Sequence, residues 1–267
     1  MSTTSTTGTQ RIADAFASRV GRAAFMPYMM GGFPDLDASR AIGAAYAEGG
    51  ADLVELGIPY SDPLADGPVI HAAGTAALAA GVRTDEVLGL AEELAERLVV
   101  VVMCYANLVL VPGAQRFAQR LADAGASGLI VPDLPVEEAD SVREATDAAG
   151  LALVPLVAPT TTDERMAAIG SSARGFIYTV STVGTTGERE VLADTVGPLL
   201  ARVHDKTEVP VAVGFGIATP IHAVEAARAG ADGVIVGTRL VRAAGEGEDI
   251  RALVAQFADA LQQAPAA

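Results

Sequence analysis

Short apolar runs and longer stretches with helical periodicity alternate along the chain. Several of the apolar runs are continuous in Val, Ile and Leu with no polar alternation, which is typical of parallel strands buried on both faces. We count eight such runs, near residues 24–29, 52–57, 99–104, 128–132, 152–157, 175–180, 209–213 and 233–236. The pattern therefore predicts eight strands in a mainly parallel sheet.

Helical periodicity fills the stretches between these runs. In residues 36–48 and 84–98 the apolar side chains recur at spacings of three and four, so each stretch presents one apolar face. Thr84 is in position to cap the second helix, and Asp85 and Glu86 suit the positive end of its dipole. We expect each helix to pack on the sheet.

One phrase recurs where a helix leads into a strand. It has a glycine that ends the helix, then a small and a polar residue, then an apolar run. Its copies are GGADLVELG (49–57), AGASGLIVPD (124–133) and AGADGVIVGT (229–238). Eight alternating units predict an α/β fold, a (β/α)8 TIM barrel formed as a single catalytic domain by residues 16–267, after a disordered polar leader at 1–15.

A doubly wound open sheet is the alternative fold. It would be favoured by a G-x-G-x-x-G fingerprint after the first strand, but the chain reads MMGGFPD there.

Composition narrows the class of protein. The net charge of −15 and the pI near 4.5 argue against nucleic acid as a partner. No apolar run of 18 residues is present, and the start, MSTTSTTGTQ, lacks the pattern of a secretory signal, so we expect neither a membrane span nor secretion. The one cysteine, Cys104, is expected to be a buried inert thiol rather than a nucleophile. These features predict a cytoplasmic protein.

The segment VELGIPYSDPLADGP (54–68) carries the first candidate chemistry. Glu55 lies among apolar strand residues, and Asp66 lies in the loop that follows. Barrel active sites form at the carboxyl ends of the strands, where a desolvated carboxyl has a raised pKa and suits acid/base work. Alternatively, Glu55 pairs with an arginine at the rim, and Asp62 and Asp66 are only turn residues.

Glycine-rich segments follow three late strands. GFG (214–216) and GTR (237–239) stand where barrels often bind phosphate through backbone N–H groups, here with the Thr238 hydroxyl as a further donor. Alternatively, these glycines only permit tight turns, and Arg239 either adds a cation or faces solvent. The long segment 181–190 has the composition of a mobile lid or of a loop without a role.

Two kinds of chemistry have little support in the sequence. The single lysine, Lys206, precedes the seventh strand, which is the wrong end of a barrel for a Schiff base. The three histidines, His71, His204 and His222, have no metal-ligand spacing, so we expect no metal site.

Six motifs, taken in order, resemble those of the tryptophan synthase alpha chain family over residues 20–245. They are VELGIPYSDPLADGPVI (54–70), YANLVL (105–110), VPDLPVEE (131–138), VSTVGTTG (180–187), VGFGI (213–217) and VIVGT (234–238). The resemblance implies a (β/α)8 barrel and a lyase of tryptophan biosynthesis. The implied reaction is retro-aldol cleavage of indole-3-glycerol phosphate to indole and glyceraldehyde 3-phosphate.

The resemblance also implies a role for each matching residue. Glu55, Asp66 and Tyr178 would be catalytic, and Tyr105, Ile130 and Phe215 would line the indole pocket. Phosphate would bind at Gly187, Gly214, Gly216, Gly237 and Thr238. The chain would need no cofactor or metal of its own and would join a beta chain, which carries pyridoxal phosphate, in an α2β2 heterotetramer through Pro59, Asp62 and Leu64.

The chain departs from the usual family pattern in places. Its lid reads Gly-Thr-Thr-Gly instead of Gly-Val-Thr-Gly, Thr238 replaces a common serine and keeps its hydroxyl, and MMGGFPD replaces a more polar first loop. Three other functions stay open: a stand-alone indole-3-glycerol-phosphate lyase without a beta partner, another sugar-phosphate barrel enzyme such as an isomerase, and a non-catalytic barrel used for binding. Intact Glu55 and Asp66 argue against the last.

Overall fold

The computed structural model describes residues 6–19, 21–180, 196–214 and 216–264. The strands in these ranges are β1 (Ala24–Met30), β2 (Leu53–Gly57), β3 (Val99–Met103), β4 (Gly128–Ile130), β5 (Ala152–Val154), β6 (Leu156–Val157), β7 (Ile177–Val180), β8 (Val211–Gly214) and β9 (Gly233–Val236). The α-helices are α1 (Gly8–Ala17), α2 (Leu36–Glu48), α3 (Pro68–Ala79), α4 (Thr84–Ala95), α5 (Ala106–Leu110), α6 (Ala114–Asp123), α7 (Asp140–Ala148), α8 (Asp163–Ser172), α9 (Val196–His204), α10 (Pro220–Arg228), α11 (Thr238–Glu246) and α12 (Ile250–Gln263). A short 3-10 helix covers Val136–Glu138.

The strands form one parallel sheet that closes into a barrel. Their order is β5-β4-β3-β2-β1-β9-β8-β7-β6. β5 and β6, at the two ends of this order, are separated only by Pro155 and are therefore halves of one strand. The first half pairs with β4 and the second half pairs with β7, which closes the barrel. Pro155 has no N–H to donate, but its carbonyl accepts from the backbone N–H of Tyr178 at 2.9 Å. The predicted TIM barrel is confirmed, with the fifth of the eight predicted strands broken in two.

Side-chain alternation on the strands divides the core into two layers. On β2, Val54 and Leu56 pack outward against the helices, whereas Leu53 packs inside the barrel. Glu55 has the same parity as Leu53, and successive strand residues point to opposite faces, so Glu55 points into the barrel. Glu55 is therefore a carboxyl among the apolar side chains that fill the inside of the barrel.

Helix α1 closes the amino-terminal end of the barrel. Ile12 and Phe16, four residues apart, are buried in the inner layer, where the Phe16 ring lies 5.6 Å from that of Phe176. Arg11 donates to the Ser127 hydroxyl at 3.0 Å and to the carbonyl of Ala126 at 2.8 Å. The prediction of a disordered leader over 1–15 is therefore wrong for residues 8–15. The apolar face formed by Ile12 and Phe16 covers the barrel end, and together with the hydrogen bonds of Arg11 it orders this polar segment.

In the described part of the chain, none of the helices combines the length and apolarity that a membrane crossing requires.

Candidate active site

A pocket opens at the carboxyl ends of the strands. It brings together six of the residues predicted from the sequence: Glu55, Asp66, Tyr178, Gly216, Gly237 and Thr238. The rest of its lining was not predicted and is mostly apolar: Tyr28, Ile70, Met103, Ile217 and Ile235. The mouth of the barrel is therefore an apolar site with two carboxyls in it.

Glu55 is a carboxyl almost wholly removed from water. Its side chain is buried, and among the described residues nothing forms a hydrogen bond to Oε2. In the described part of the chain no arginine forms an ion pair with Glu55. Within those residues, the alternative that Glu55 pairs with an arginine at the barrel rim is therefore wrong. Burial, helped by the charge of Asp66, raises the pKa of Glu55 to about 8. Glu55 therefore holds a proton at neutral pH.

Asp66 is held differently, on the loop between β2 and α3. Its N–H donates to the Pro63 carbonyl at 3.2 Å, which closes a turn, and its carboxyl reaches back into the pocket. Burial raises the pKa of Asp66 to about 6, while a hydrogen bond from Tyr105 and the nearby His71 act in the opposite direction. The Tyr105 hydroxyl donates to Oδ1 of Asp66 at 2.9 Å. Asp66 is therefore ionised at neutral pH.

Two tyrosines line the pocket, each above a glycine. A β-carbon on Gly57 would lie 2.2 Å from the Tyr28 hydroxyl, and one on Gly214 would lie 2.2 Å from the Tyr178 hydroxyl. Burial raises the pKa of both tyrosines well above its usual range, so both are neutral. Tyr28 was not predicted as a site residue, because it lies in the apolar run 24–29, which predicts only a buried strand. The only signal was that Tyr28 shares the parity of Ala24 and Met26, which face the barrel interior.

The predicted phosphate positions that are described fall into two groups. Gly216 has φ +82°, a conformation that favours glycine, and it lines the pocket with Gly237 and Thr238. Thr238 is the first residue of α11, so the amino end of this helix opens on the pocket. Gly214 is not in the lining and instead makes room for Tyr178. Arg239 forms a bidentate ion pair with Glu248, at 2.8 and 2.7 Å.

The predicted indole-pocket residues are placed less directly. Ile130 is buried in the inner layer at the end of β4, in register with Met103, which lines the pocket. Tyr105 is not in the lining and meets the site through its hydrogen bond to Asp66. Phe215, Gly187 and the predicted lid 181–190 lie outside the described residues.

The predicted partner-facing loop differs in exposure from end to end. Pro59 is buried, Asp62 is exposed and Leu64 is 83% exposed. The structure therefore leaves Asp62 and Leu64, but not Pro59, open to a partner.

The described residues hold no group of three His, Cys, Asp or Glu side chains arranged to bind a metal. Cys104 is fully buried, and burial raises the pKa of its thiol, so the expectation of an inert thiol is confirmed.

Comparison with known proteins gives the family. The family model described as Tryptophan synthase alpha chain matches residues 15–266. The tryptophan synthase alpha chain of Gloeobacter violaceus is 49% identical over 236 residues, which cover 87% of this chain and 86% of the relative. The chain belongs to the tryptophan synthase alpha chain family. Membership of this family supports a lyase role in tryptophan synthesis.

Other members of the tryptophan synthase alpha chain family agree in sequence and in fold. The alpha chain of Methanosarcina mazei is 48% identical over 227 residues, covering 85% of this chain and 83% of the relative. A solved structure of Mycobacterium tuberculosis tryptophan synthase superposes with a TM-score of 0.89 at 41% identity, covering 94% of this chain and 98% of that one.

Proposed function

We propose that this chain catalyses the alpha reaction of tryptophan synthesis, the retro-aldol cleavage of indole-3-glycerol phosphate to indole and glyceraldehyde 3-phosphate. The observation that carries the proposal is the pair of carboxyls in one pocket with different pKa values, about 8 for Glu55 and about 6 for Asp66. Between pH 6 and pH 8, Glu55 is a protonated acid and Asp66 is an anion, which is the combination that this reaction needs.

The proton steps follow from that difference. Protonated Glu55 gives its proton to the ring carbon that bears the side chain, and the Asp66 carboxylate accepts a hydrogen bond from the indole N–H as positive charge develops on the ring. The carbon–carbon bond then breaks with its electron pair returning to the ring. The hydroxyl on the departing carbon loses its proton to Glu55 and becomes the aldehyde. Glu55 is thus restored, and no proton is gained or lost overall.

The rest of the pocket suits the two ends of the substrate. Its apolar residues, including Ile70, Met103 and Ile235, offer a surface for a planar indole ring. The amino end of α11, with Gly237 and Thr238, offers backbone N–H groups and a hydroxyl to a phosphate. Tyr178 lies beside Glu55 and is proposed to contact the reacting carbon.

The direct test is release of indole from indole-3-glycerol phosphate by the full chain. Glu55→Gln and Asp66→Asn should each reduce turnover by about 100- to 10,000-fold while the fold is kept, because each removes a charge or proton without changing shape. Near-normal turnover by a well-folded Glu55→Gln protein would contradict the mechanism. Turnover of a sugar phosphate without an indole group would favour another barrel enzyme.

The pH dependence follows from the same pair. kcat/KM should rise with pH as Asp66 ionises near pH 6 and fall as Glu55 ionises near pH 8. The two apparent values belong to the pair, since each carboxylate disfavours ionisation of the other. A profile without an alkaline limb would remove Glu55 from the role of general acid.

We also propose a beta chain as partner, in an α2β2 assembly whose pyridoxal phosphate lies on the beta chain. The support is the family name and exposed apolar side chains: Leu64 in the loop that carries Asp66, and Leu110 and Val111 at the end of α5, which are 83%, 51% and 81% exposed. Rates measured with and without a cognate beta chain distinguish this assembly from a stand-alone lyase. The cytoplasmic location stays a prediction from the sequence.

A further inference from the structure

Tyr60 forms a contact that the proposed chemistry does not use. This residue follows Pro59 in the loop after β2, and its ring stacks on that of Tyr105, with centroids 5.2 Å apart and planes 22° from parallel. The amide of Asn107 donates to the Tyr60 hydroxyl at 2.9 Å. The Tyr60 ring is therefore held at its face by one side chain and at its hydroxyl by another.

Tyr105 connects this stack to the pocket. Its hydroxyl donates to Oδ1 of Asp66 at 2.9 Å and accepts from the backbone N–H of Ala65 at 3.0 Å. Tyr105 also precedes α5, whose first N–H, that of Ala106, donates to Oδ1 of Asp133 at 2.8 Å. The Tyr105 backbone is thus anchored through its neighbour, and the angle of its ring is set by the two hydrogen bonds of its hydroxyl and by the side chains packed against it.

We propose that Tyr60 is a positioning residue, which acts through the Tyr105 ring to hold the Asp66 carboxylate in its reactive orientation. The inference rests on the proposed function, in which Asp66 acts on the indole N–H. It goes further in assigning a role to Tyr60 and Asn107, neither of which lines the pocket.

The physical reason lies in where Asp66 is attached. Glu55 is on a strand, whose ladder to β1 and β3 fixes its direction. Asp66 is on a loop, so its direction depends on side-chain contacts, and a small misplacement of a reacting group is costly in rate. Stacked aromatic rings prefer a defined relative geometry and attract each other beyond the effect of their buried area, which biases the orientation of the Tyr105 ring.

The test uses the acidic limb of the pH profile. The groups that face Asp66 are Glu55, Tyr28, Tyr105 and His71, and the hydrogen bond from Tyr105 holds the pKa of Asp66 down. Loosening Tyr105 should therefore raise that pKa and move the acidic limb to higher pH. We expect Tyr105→Phe to move the limb by about one pH unit, as loss of a hydrogen bond to a charged group implies.

Tyr60→Leu should move the limb in the same direction by about half a unit and lower kcat by about 3- to 10-fold, with KM changed less, because the pocket walls remain. Asn107→Leu, at an exposed position, should move the acidic limb to higher pH by a smaller amount. This variant provides the test if Tyr60→Leu fails to fold. The matched control is Phe257→Leu, which removes one ring of a stacked pair with Phe25 on the far side of the sheet. We expect it to lower stability without moving the limb.

A titration that does not depend on turnover separates this proposal from the proposed function. The side-chain carboxyl 13C shift of Asp66, followed against pH in the full ligand-free chain, reports its pKa directly. A raised pKa in Tyr60→Leu supports the positioning role even if the substrate proves to be different. An unchanged pKa in folded Tyr60→Leu, or an equal shift in Phe257→Leu, would overturn the positioning role and leave the chemistry of Glu55 and Asp66 intact.

Discussion

Tyr28 and Glu55 lie opposite each other in register on the neighbouring parallel strands β1 and β2. Both side chains line the pocket, and among the described residues the Tyr28 hydroxyl has one hydrogen-bond partner, the Met30 sulfur at 4.0 Å. A thioether is a weak acceptor, so the hydroxyl keeps most of its capacity to donate. This places a neutral donor beside the proposed general acid.

Tyr28→Phe is expected to lower kcat/KM by about 5- to 10-fold, which is the value of one hydrogen bond of roughly 1 kcal/mol to an oxygen of the substrate or of Glu55. The measurement is indole release under single-turnover conditions. Tyr46→Phe is the control, since it removes a buried hydroxyl that donates to the Tyr28 carbonyl at 2.9 Å and does not line the pocket. It should lower stability and leave kcat/KM near that of the parent. Equal kinetic losses in both would assign the effect to packing.

Glu55 also makes stability depend on pH. Its ordinary pKa of 4.5 is raised to about 8 in the folded chain, so between these values the folded state holds a proton that the unfolded state has lost. The free energy of unfolding should therefore fall as pH rises through this window. Glu55→Gln does not titrate, and at pH 8 it should be more stable than the parent by a few kcal/mol, on the order of the shift. Urea unfolding at several pH values measures this.

Asp66→Asn provides the matched comparison for that titration. Asp66 itself titrates near pH 6 in the folded chain, so the comparison is made between pH 6 and pH 8, where the fall in stability comes from Glu55. Burial is a larger cause of the raised Glu55 pKa than the charge of Asp66, so the variant should keep most of the fall in that range. Loss of the whole slope in Asp66→Asn would mean that the Asp66 charge, and not burial, controls Glu55.

The phosphate position can be tested at Thr238. Thr238→Val keeps the shape and removes the hydroxyl, and it should weaken glycerol phosphate binding about 10-fold, as expected for a hydrogen bond to a charged group. Thr238→Ser keeps the hydroxyl and should bind like the parent. Calorimetric titration with glycerol phosphate gives both affinities, and unchanged binding by the Val variant would exclude a bond from this hydroxyl.

Gly237→Ala gives an independent measure of the same subsite. The new β-carbon would lie 3.6 Å from the nearest side-chain atom, an ordinary contact with Tyr28, so the fold should be kept. Affinity for glycerol phosphate should nevertheless fall, because a methyl group hinders close approach of the phosphate to the backbone. Full affinity in a folded variant would place the phosphate elsewhere.

Asp62 tests the partner surface. It is exposed and accepts a hydrogen bond from the Ser61 hydroxyl at 2.6 Å, so it is free of the pocket. Asp62→Ala should leave the rate of the isolated chain largely unchanged and reduce its acceleration by a cognate beta chain. By linkage, it should also reduce the strengthening of beta-chain binding by glycerol phosphate. Equal loss of both rates would assign Asp62 to the active site itself.

Much of the fold was predictable from the sequence because its signals are local. The apolar runs and the helical spacing between them predicted the barrel, and the run at 52–57 predicted the strand that carries Glu55. Glu55, Asp66 and Thr238 could be named because motifs of adjacent residues carry them. Strand parity, turn residues and helix starts depend on near neighbours in the chain, so the sequence by itself determines them.

Contacts between distant residues were decided only by the tertiary structure. Tyr105 and Asp66 are 39 positions apart, and their hydrogen bond exists because the parallel pairing of β2 with β3 brings the carboxyl ends of these strands side by side. Helix α1 likewise forms where Ile12 and Phe16 can pack against the amino-terminal end of the barrel, which only the folded structure provides. The split between the pKa values of Glu55 and Asp66 has the same origin. Burial is a property of the assembled pocket, and the same two carboxyls in an unfolded chain would both be ionised at neutral pH.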